Sequence, residues 1–259
     1  MNMRFKNTLS IITGGSRGIG LEISSHLSEK GSEVVILDIK PPDKEILSRH
    51  KKLSYVRCDL SSEKEITSFF DDFSLPKDKE IILVNNARYK SLSNMEESFL
   101  DWNKSIAVGL TAPFILSKEI FERSRKGGSI INICSIASKL ATGESPSYHA
   151  AKGGLLALTK YLAVMGGEKN FRVNAILPGL IIQDDHLEKY ASEGNEAYRN
   201  LSENYQPMGN HGTQSDIANL VTFLCSQDSK YLSGSEISLD GAATIQDQFT
   251  LLKKFLKKQ

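Results

Sequence analysis

Short apolar runs alternate with helix-like segments along almost the whole chain. Seven runs predict buried strands: Thr8–Thr13, Glu33–Leu37, Ser54–Cys58, Glu80–Val84, Ser129–Cys134, Arg172–Leu177 and Glu236–Leu239. The longest segments between them predict helices over residues 63–73, 99–121, 147–165 and 215–225. Apolar strands that alternate with helices form a parallel sheet with helices on both faces. The pattern therefore predicts an α/β fold, a doubly wound domain with a parallel sheet of about seven strands.

The connection after the first predicted strand is rich in glycine. It reads Gly14-x-x-x-Gly18-x-Gly20 and opens a helix, although it lacks the common spacing G-x-G-x-x-G. Glycines let the backbone approach a pyrophosphate, and the N-terminus of a helix attracts anions. Asp38 ends the second strand, where a carboxylate can accept a hydrogen bond from a ribose hydroxyl. Together these features predict a dinucleotide site; a tight turn with close strand–helix packing is the alternative.

A tyrosine and a lysine form a second pattern, later in the chain. Tyr148 and Lys152 are four positions apart, so on a helix they share one face. A nearby ammonium stabilises a phenolate, and such a tyrosine can exchange a proton with an alcohol or an alkoxide. Ser135 lies at the end of the preceding apolar run, where its hydroxyl can bond a substrate oxygen. On spacing alone, the pair could instead simply decorate a helix surface.

Composition and missing motifs argue against several other classes of function. Lys and Arg total 32 against 31 Asp and Glu, so a basic nucleic-acid surface has little support. The N-terminus lacks a signal-peptide core, and no apolar run approaches the ~18 residues of a membrane helix. Serine-hydrolase and zinc-hydrolase motifs do not occur, and we expect no metal site. Cys58, Cys134 and Cys225 are interpreted as free, buried thiols in a reducing cytoplasm.

The chain carries a longer series of short motifs in a fixed order. They are Thr13-Gly14-x-x-x-Gly18-x-Gly20, Asp59, Asn85-Asn86-Ala87, Ser135, Tyr148-x-x-x-Lys152, Pro178-Gly179 and Leu239-Asp240-Gly241. With this series the chain resembles the short-chain dehydrogenases/reductases of the single-domain branch over nearly its whole length. The resemblance implies one Rossmann-fold domain over residues 1–259. A cofactor half would span about 1–135 and a catalytic and substrate half about 136–259, with a lid at about 183–207.

The resemblance also implies a role for each matching residue. Tyr148 would be the general acid/base, Lys152 would favour its phenolate and bind the nicotinamide ribose, and Ser135 would orient the reacting oxygen. The implied cofactor contacts are Gly14, Ser16, Arg17, Gly18, Ile19, Gly20, Asp38, Asp59, Leu60, Asn86, Ala87, Tyr148, Lys152, Pro178, Gly179 and Ile181. Asp59 could instead cap a helix that begins near Ser61, and Pro178-Gly179 could be a plain turn after a strand.

The sequence departs from the family where the family has a catalytic asparagine. Gly109 occupies that position, which in the family holds, through its carbonyl, a water linking the lysine to solvent. Pro113 has no N–H and therefore cannot bond the carbonyl of Gly109. We hypothesise that this carbonyl still holds the water, so that the proton relay survives with reduced rigidity.

Other departures bear on the substrate and on packing. Arg88 follows Asn85-Asn86-Ala87 where the family usually has glycine. Its planar guanidinium could bind a carboxylate or phosphate, or it could be a solvated side chain in a surface loop. Gln183 replaces a threonine that often touches the nicotinamide, and Ala242 replaces a glycine.

Asp38 bears on the choice between the two nicotinamide cofactors. Its carboxylate would repel the 2′-phosphate of NADP, which favours NAD(H). Arg17 and Lys40 lie near it in sequence, and either could bind that phosphate. NADP(H) is therefore the alternative.

We therefore predict an oxidoreductase that transfers a hydride between a nicotinamide cofactor and a secondary alcohol or ketone. The polar and aromatic lid suits a sugar or another polar or anionic substrate, although a surface helix can look the same. The alternatives are an acyl-carrier-protein 3-ketoacyl reductase and a cofactor-binding protein that has lost catalysis. By analogy we expect a cytoplasmic homodimer or homotetramer, assembled through the helices at 99–121 and 147–165, without nucleic-acid or membrane partners.

Overall fold

The computed structural model describes residues 4–91, 95–182 and 184–256, with no side chains described for 184–187 and 254–256. Its strands are β1 Thr8–Thr13, β2 Glu33–Asp38, β3 Leu53–Arg57, β4 Glu80–Asn85, β5 Gly128–Ile133, β6 Phe171–Pro178 and β7 Glu236–Leu239. They form one parallel sheet in the order β3-β2-β1-β4-β5-β6-β7. The predicted seven-stranded, doubly wound sheet is confirmed, with strand ends shifted by one residue at most.

Ten α-helices connect or follow these strands in the described parts of the chain. They are α1 Gly18–Glu29, α2 Lys44–Arg49, α3 Glu63–Asp72, α4 Phe99–Ile106, α5 Ala112–Arg123, α6 Pro146–Gly167, α7 Asp184–Ala191, α8 Glu196–Tyr205, α9 Gln214–Cys225 and α10 Gln248–Leu256. Within the same residues, every helix is too short or too polar to span a bilayer.

Each face of the sheet has its own apolar core. Along β4, Ile81 and Leu83 point to the core shared with α3, α5 and α6, whereas Ile82 and Val84 point to that shared with α1 and α9. Side chains of a strand alternate between the two faces, so a strand that is apolar throughout needs helices on both sides. Cys58, Cys134 and Cys225 are buried and free, as predicted.

The helix predicted over residues 99–121 is not one continuous α-helix. A single π-helical turn, Ala107–Thr111, separates α4 from α5, and the N–H of Ala112 bonds to the carbonyl of Ala107. The prediction also missed α2, which follows Pro41-Pro42 and has no buried residue. A helix without a buried stripe leaves little periodic signal in the sequence.

Candidate active site

The residues predicted for the site gather at one edge of the sheet, because parallel strands all end there. In chain order they are the glycine turn 14–20 after β1, Asp38 ending β2, Asp59 after β3, Asn86 after β4, Ser135 after β5 and Gly179 after β6. Asp240, from the motif Leu239-Asp240-Gly241, follows β7 at the same edge. β1 lies between β2 and β4, so the chain order reverses between β1 and β4. Ligands of doubly wound sheets bind in the crevice at such a switch point.

The glycine turn forms a cradle built from backbone. Gly14 and Gly18 have φ of 62° and 56°, which favour glycine. A Cβ on Gly20 would lie 2.2 Å from the Gly14 carbonyl oxygen and 2.6 Å from Nδ2 of Asn86. Helix α1 begins at Gly18 without an acidic residue in its first turn and without a side-chain cap from Arg17. This arrangement fits a pyrophosphate at the positive end of α1.

Thr13 fastens this cradle to the end of β4. Its Oγ1 accepts hydrogen bonds from the backbone N–H groups of Asn86, at 2.9 Å, and Ala87, at 3.1 Å. Nδ2 of Asn86 donates to the carbonyl oxygens of Thr13 and Gly14. The side-chain amide of Asn86 thus holds the turn in shape, a role that sequence reasoning did not assign to it.

Asp38 lies directly beside the glycine turn. Its Oδ2 accepts from the N–H of Ser16 at 3.2 Å, and its Oδ1 accepts from the N–H of Ile39 at 2.7 Å. Oγ of Ser16 donates to the carbonyl of Lys40 at 2.6 Å. A carboxylate fixed here suits the ribose that adjoins a pyrophosphate on the turn. Arg17 is exposed.

Asp59 and Leu60 follow β3 and have different surroundings. Oδ1 of Asp59 accepts from the hydroxyl and the N–H of Ser61, and these bonds hold the pKa of Asp59 below its ordinary value. The cap of α3 is Ser62 rather than Asp59, since Oγ of Ser62 accepts from the N–H of Glu65. Leu60 is buried in the core, so only its backbone could serve a ligand.

Tyr148, Lys152 and Ser135 lie at the junction of β5 and α6. Nζ of Lys152 lies 5.7 Å from the centre of the Tyr148 ring and donates to the carbonyl of Ile133 at 2.6 Å. Lys152 is 3% exposed. Ser135 begins the turn after β5, and its Oγ accepts from the N–H of Ala137 at 3.1 Å. Since that bond uses a lone pair, the hydroxyl hydrogen remains available for a substrate oxygen.

The first turn of α6 is held by a group that sequence reasoning missed. Glu97 accepts from the N–H of Ser147 at 3.0 Å and also from its hydroxyl. Burial raises the pKa of Glu97, but hydrogen bonds from Ser147, Ser91 and Ser145 together outweigh it, and the net pKa lies below the ordinary value. Ser145 caps the same helix through the N–H of Tyr148. The start of α6, and with it Tyr148, is thereby fixed from two sides.

Arg88 and His149 border the tyrosine. Cζ of Arg88 lies 5.5 Å from the centre of the Tyr148 ring, and NH1 lies 3.5 Å from Oε1 of Glu144. Nδ1 of His149 bonds to the Ser145 carbonyl, and its Nε2 accepts from the N–H of Thr142. Both ring nitrogens of His149 are therefore used in structural hydrogen bonds, whereas Glu144 is the one ionic partner of Arg88 among the described residues.

Gly109 is buried within the π-helical turn. A Cβ on it would lie 3.0 Å from Cβ of Ala151, one residue before Lys152 on α6. Short π-helical turns within α-helices are often found at functional sites. The glycine therefore lets the π-helical turn approach α6 closely, one residue before Lys152.

The segment after β6 packs against the end of β7 at the same edge of the sheet. The N–H of Gly179 donates to the carbonyl of Leu239, and a Cβ on Gly179 would lie 2.8 Å from the backbone of Asp240. Ile181 pairs with Gly212 at the base of the predicted lid, which contains α7 and α8. Gln183 lies outside the described residues. In the described part of the chain, no cluster of His, Cys, Asp and Glu could hold a metal.

Comparisons with known proteins identify the family of this chain. A family model described as enoyl-(acyl carrier protein) reductase, of the short-chain dehydrogenase type, matches residues 14–244. The chain therefore belongs to the short-chain dehydrogenase/reductase family. It is an oxidoreductase that acts on CH–OH groups, in a family that binds NAD or NADP.

Three similar proteins illustrate the range of that family. The chain is 31% identical to 3-oxoacyl-(acyl-carrier-protein) reductase FabG of Aquifex aeolicus, covering 93% of this chain and 99% of the relative. The solved 4-hydroxyisoleucine dehydrogenase complexed with NADH is 31% identical, with a TM-score of 0.81 over 93% and 100% of the two chains. A putative 2-deoxy-D-gluconate 3-dehydrogenase from Agrobacterium tumefaciens, with bound NADP, is 30% identical, with a TM-score of 0.80 over 95% and 99%.

Proposed function

We propose that this enzyme transfers a hydride between NAD(H) and the carbinol or carbonyl carbon of a small polar secondary alcohol or ketone. The observation that carries the proposal is the position of the buried Lys152 ammonium beside the Tyr148 ring. A protein that only bound the cofactor, without catalysis, would have no need for a buried lysine beside a tyrosine.

The residues at the sheet edge fit a nicotinamide dinucleotide. The turn 14–20 would hold the pyrophosphate, Asp38 the adenosine ribose and Lys152 the nicotinamide ribose. Asp59, Ala87 and residues 178–181 would contact the remaining parts of the dinucleotide. Bound NAD(H) supplies the acceptor or donor of the hydride.

The chain's own groups handle the proton and the reacting oxygen. Tyr148 accepts the hydroxyl proton of the alcohol during oxidation and returns it to the oxygen during reduction. The Lys152 ammonium stabilises the phenolate form of Tyr148, which is present before the proton is accepted in oxidation and after it is donated in reduction. Ser135 donates its remaining hydroxyl hydrogen to the reacting oxygen. The Gly109 carbonyl would hold the water through which Lys152 exchanges protons with solvent.

NAD(H) is favoured over NADP(H) by the carboxylate of Asp38. The group is fixed by the N–H groups of Ser16 and Ile39, so it cannot readily swing away from a 2′-phosphate. Solved relatives bind either cofactor, since one complex contains NADH and another NADP. A measured preference for NADP would reverse this part of the proposal.

A 3-oxoacyl-(acyl-carrier-protein) reductase is the second candidate function. It is favoured by the 31% identity to the Aquifex aeolicus enzyme, which carries that name.

We further propose a single domain in the cytoplasm, assembled as a homodimer or homotetramer. Apolar side chains of α4, α5 and α6 support assembly because they are solvent-exposed in the single chain: Phe99, Leu100, Phe114, Tyr161 and Val164.

Turnover across a substrate panel tests the proposal. The purified enzyme is given NAD or NADP with polyols, sugars, sugar phosphates and short hydroxy acids, and NADH or NADPH formation is followed at 340 nm. 3-Oxoacyl thioesters are offered in the reductive direction. We expect activity with a small polar alcohol; activity confined to the thioesters would favour the second candidate. Tight NAD binding without any turnover would contradict both.

A further inference from the structure

Arg88 places a second cation beside the catalytic tyrosine. It directly follows Asn85-Asn86-Ala87 at the end of β4, and its guanidinium carbon lies 5.5 Å from the centre of the Tyr148 ring. A guanidinium at this distance is attracted to the ring. The guanidinium therefore lies beside the residue that would exchange the substrate's proton.

The ionic partner of Arg88 holds it loosely. NH1 of Arg88 lies 3.5 Å from Oε1 of Glu144, and the two side chains are 40% and 46% exposed. Exposed ion pairs contribute little to stability, so another anion can replace Glu144 at little cost. The contact uses only NH1 of the guanidinium, whereas a guanidinium can bind a carboxylate through two parallel N–H groups.

The other charged groups around Tyr148 are less available than Arg88 to bind an anion. Glu97 is occupied by Ser147, and Lys152 is buried against Ile133. The ring of His149 is bonded on both nitrogens. Among the described residues at this site, Arg88 is the exposed cation with donors to spare.

We propose that Arg88 binds a carboxylate of the substrate, displacing Glu144, and so selects short hydroxy acids or keto acids. The inference rests on the proposed function and names its substrate class. Glu144 already brings a carboxylate to this guanidinium, which favours a carboxylate over a phosphate. Because Arg88 lies beside the Tyr148 ring, the acid group must lie only a few bonds from the carbon that exchanges the hydride.

A merely structural role predicts different behaviour. If Arg88 only ties residues 139–145 to the end of β4, then removing either partner of the Arg88–Glu144 pair should have the same effect. Such a loss would also be equal for charged and neutral substrates. The test therefore needs both variants and matched substrates.

The experiment uses 2- and 3-hydroxy acids of three to six carbons, each paired with its neutral amide. We expect the wild type to favour the best acid over its amide at least about tenfold in kcat/KM, chiefly through KM. Arg88→Met should abolish this preference, lowering kcat/KM for the acid at least about tenfold more than for the amide. Glu144→Gln should retain or raise it, and Lys139→Met should leave it unchanged.

Calorimetric titration of the NADH-bound protein with the same acids and amides provides a readout independent of turnover. Tighter binding of an acid that is lost in Arg88→Met supports the inference even if no substrate is turned over, in which case only the proposed function fails. The inference is overturned if no acid binds better than its amide. It is also overturned if Glu144→Gln abolishes the preference as Arg88→Met does, or if only sugar phosphates show an Arg88-dependent preference.

Discussion

Nζ of Lys152 joins two parts of the site, lying 5.7 Å from the centre of the Tyr148 ring and 2.6 Å from the carbonyl oxygen of Ile133. The lysine therefore ties the first turns of α6 to the end of β5. Ser135 follows that strand end two residues later, so the end of β5 and the first turns of α6 together hold the three predicted catalytic residues. Their arrangement depends on the sheet rather than on a flexible loop.

The cradle predicts that Gly20→Ala weakens cofactor binding. Its new Cβ would lie 2.2 Å from the Gly14 carbonyl oxygen, which is backbone and cannot move aside like a flexible side chain. We expect the Kd of NAD to rise at least about tenfold and the protein to lose about 1–3 kcal/mol of stability. Fluorescence titration and thermal unfolding measure the two effects. Gly167→Ala is the control, since its Cβ would have no neighbour within 4 Å.

Much of this edge could be predicted from sequence, for physical reasons that differ by residue. Uninterrupted apolar strands that alternate with helices predicted a parallel sheet, and its parallel strands bring Asp38, Ser135 and Gly179 to the same edge. The π-helical turn at Gly109 was not predicted, because it is a single turn and the residues on both sides of it continue as α-helix.

Contacts between distant segments were also beyond the sequence. Arg88 was singled out because it departs from a family motif, but its position over the Tyr148 ring depends on how β4 and α6 pack. Glu97 gave no signal, since an acidic residue before a helix is common on surfaces. Its bond to Ser147 joins segments that only the fold brings together.

Gly109→Asn tests how the π-helical turn accommodates the missing side chain. Its Cβ would lie 3.0 Å from Cβ of Ala151, so we expect a loss of about 1–3 kcal/mol in unfolding free energy. Turnover should change only modestly if the carbonyl already serves the proton relay. Ala151→Gly makes room, and the double variant should show favourable coupling in denaturant unfolding. Additive losses, or a large gain in turnover, would contradict this account.

Asp38→Asn should weaken discrimination against NADP. Removing the negative charge removes its repulsion of the 2′-phosphate, while the amide oxygen can still accept a hydrogen bond from the turn. We expect the ratio of the NADP Kd to the NAD Kd to fall at least about tenfold. Asp43→Asn is the matched control, because Asp43 is an exposed residue of the same connection whose side chain caps no helix. An unchanged ratio would show that Asp38 does not select the cofactor.

The buried thiols make stability depend on alkaline pH. Burial raises the pKa of Cys58 from 9.0 to about 11 and that of Cys134 and Cys225 to about 12. The folded state thus keeps thiols protonated that ionise in the unfolded chain. Their contribution is full below pH 9 and is lost as the pH rises from 9 towards 11–12.

Urea unfolding between pH 8 and 11 measures this effect. The unfolding free energy should fall with pH, and Cys58→Ala should make the decline less steep. Iodoacetamide at pH 8 should label all three thiols in urea and none rapidly in the native protein. Equal slopes for Cys58→Ala and the wild type, or fast native labelling, would contradict the assignment.

Tyr148→Phe tests the central claim most directly. The variant keeps the ring but removes the hydroxyl that exchanges the proton, so binding and chemistry can be separated. With the best alcohol of the panel, NADH formation at 340 nm should fall about a hundred- to ten-thousand-fold in kcat. The Kd of NAD should stay within about threefold of the wild type, since the tyrosine hydroxyl adds little to binding. Retention of wild-type kcat in Tyr148→Phe would contradict the account.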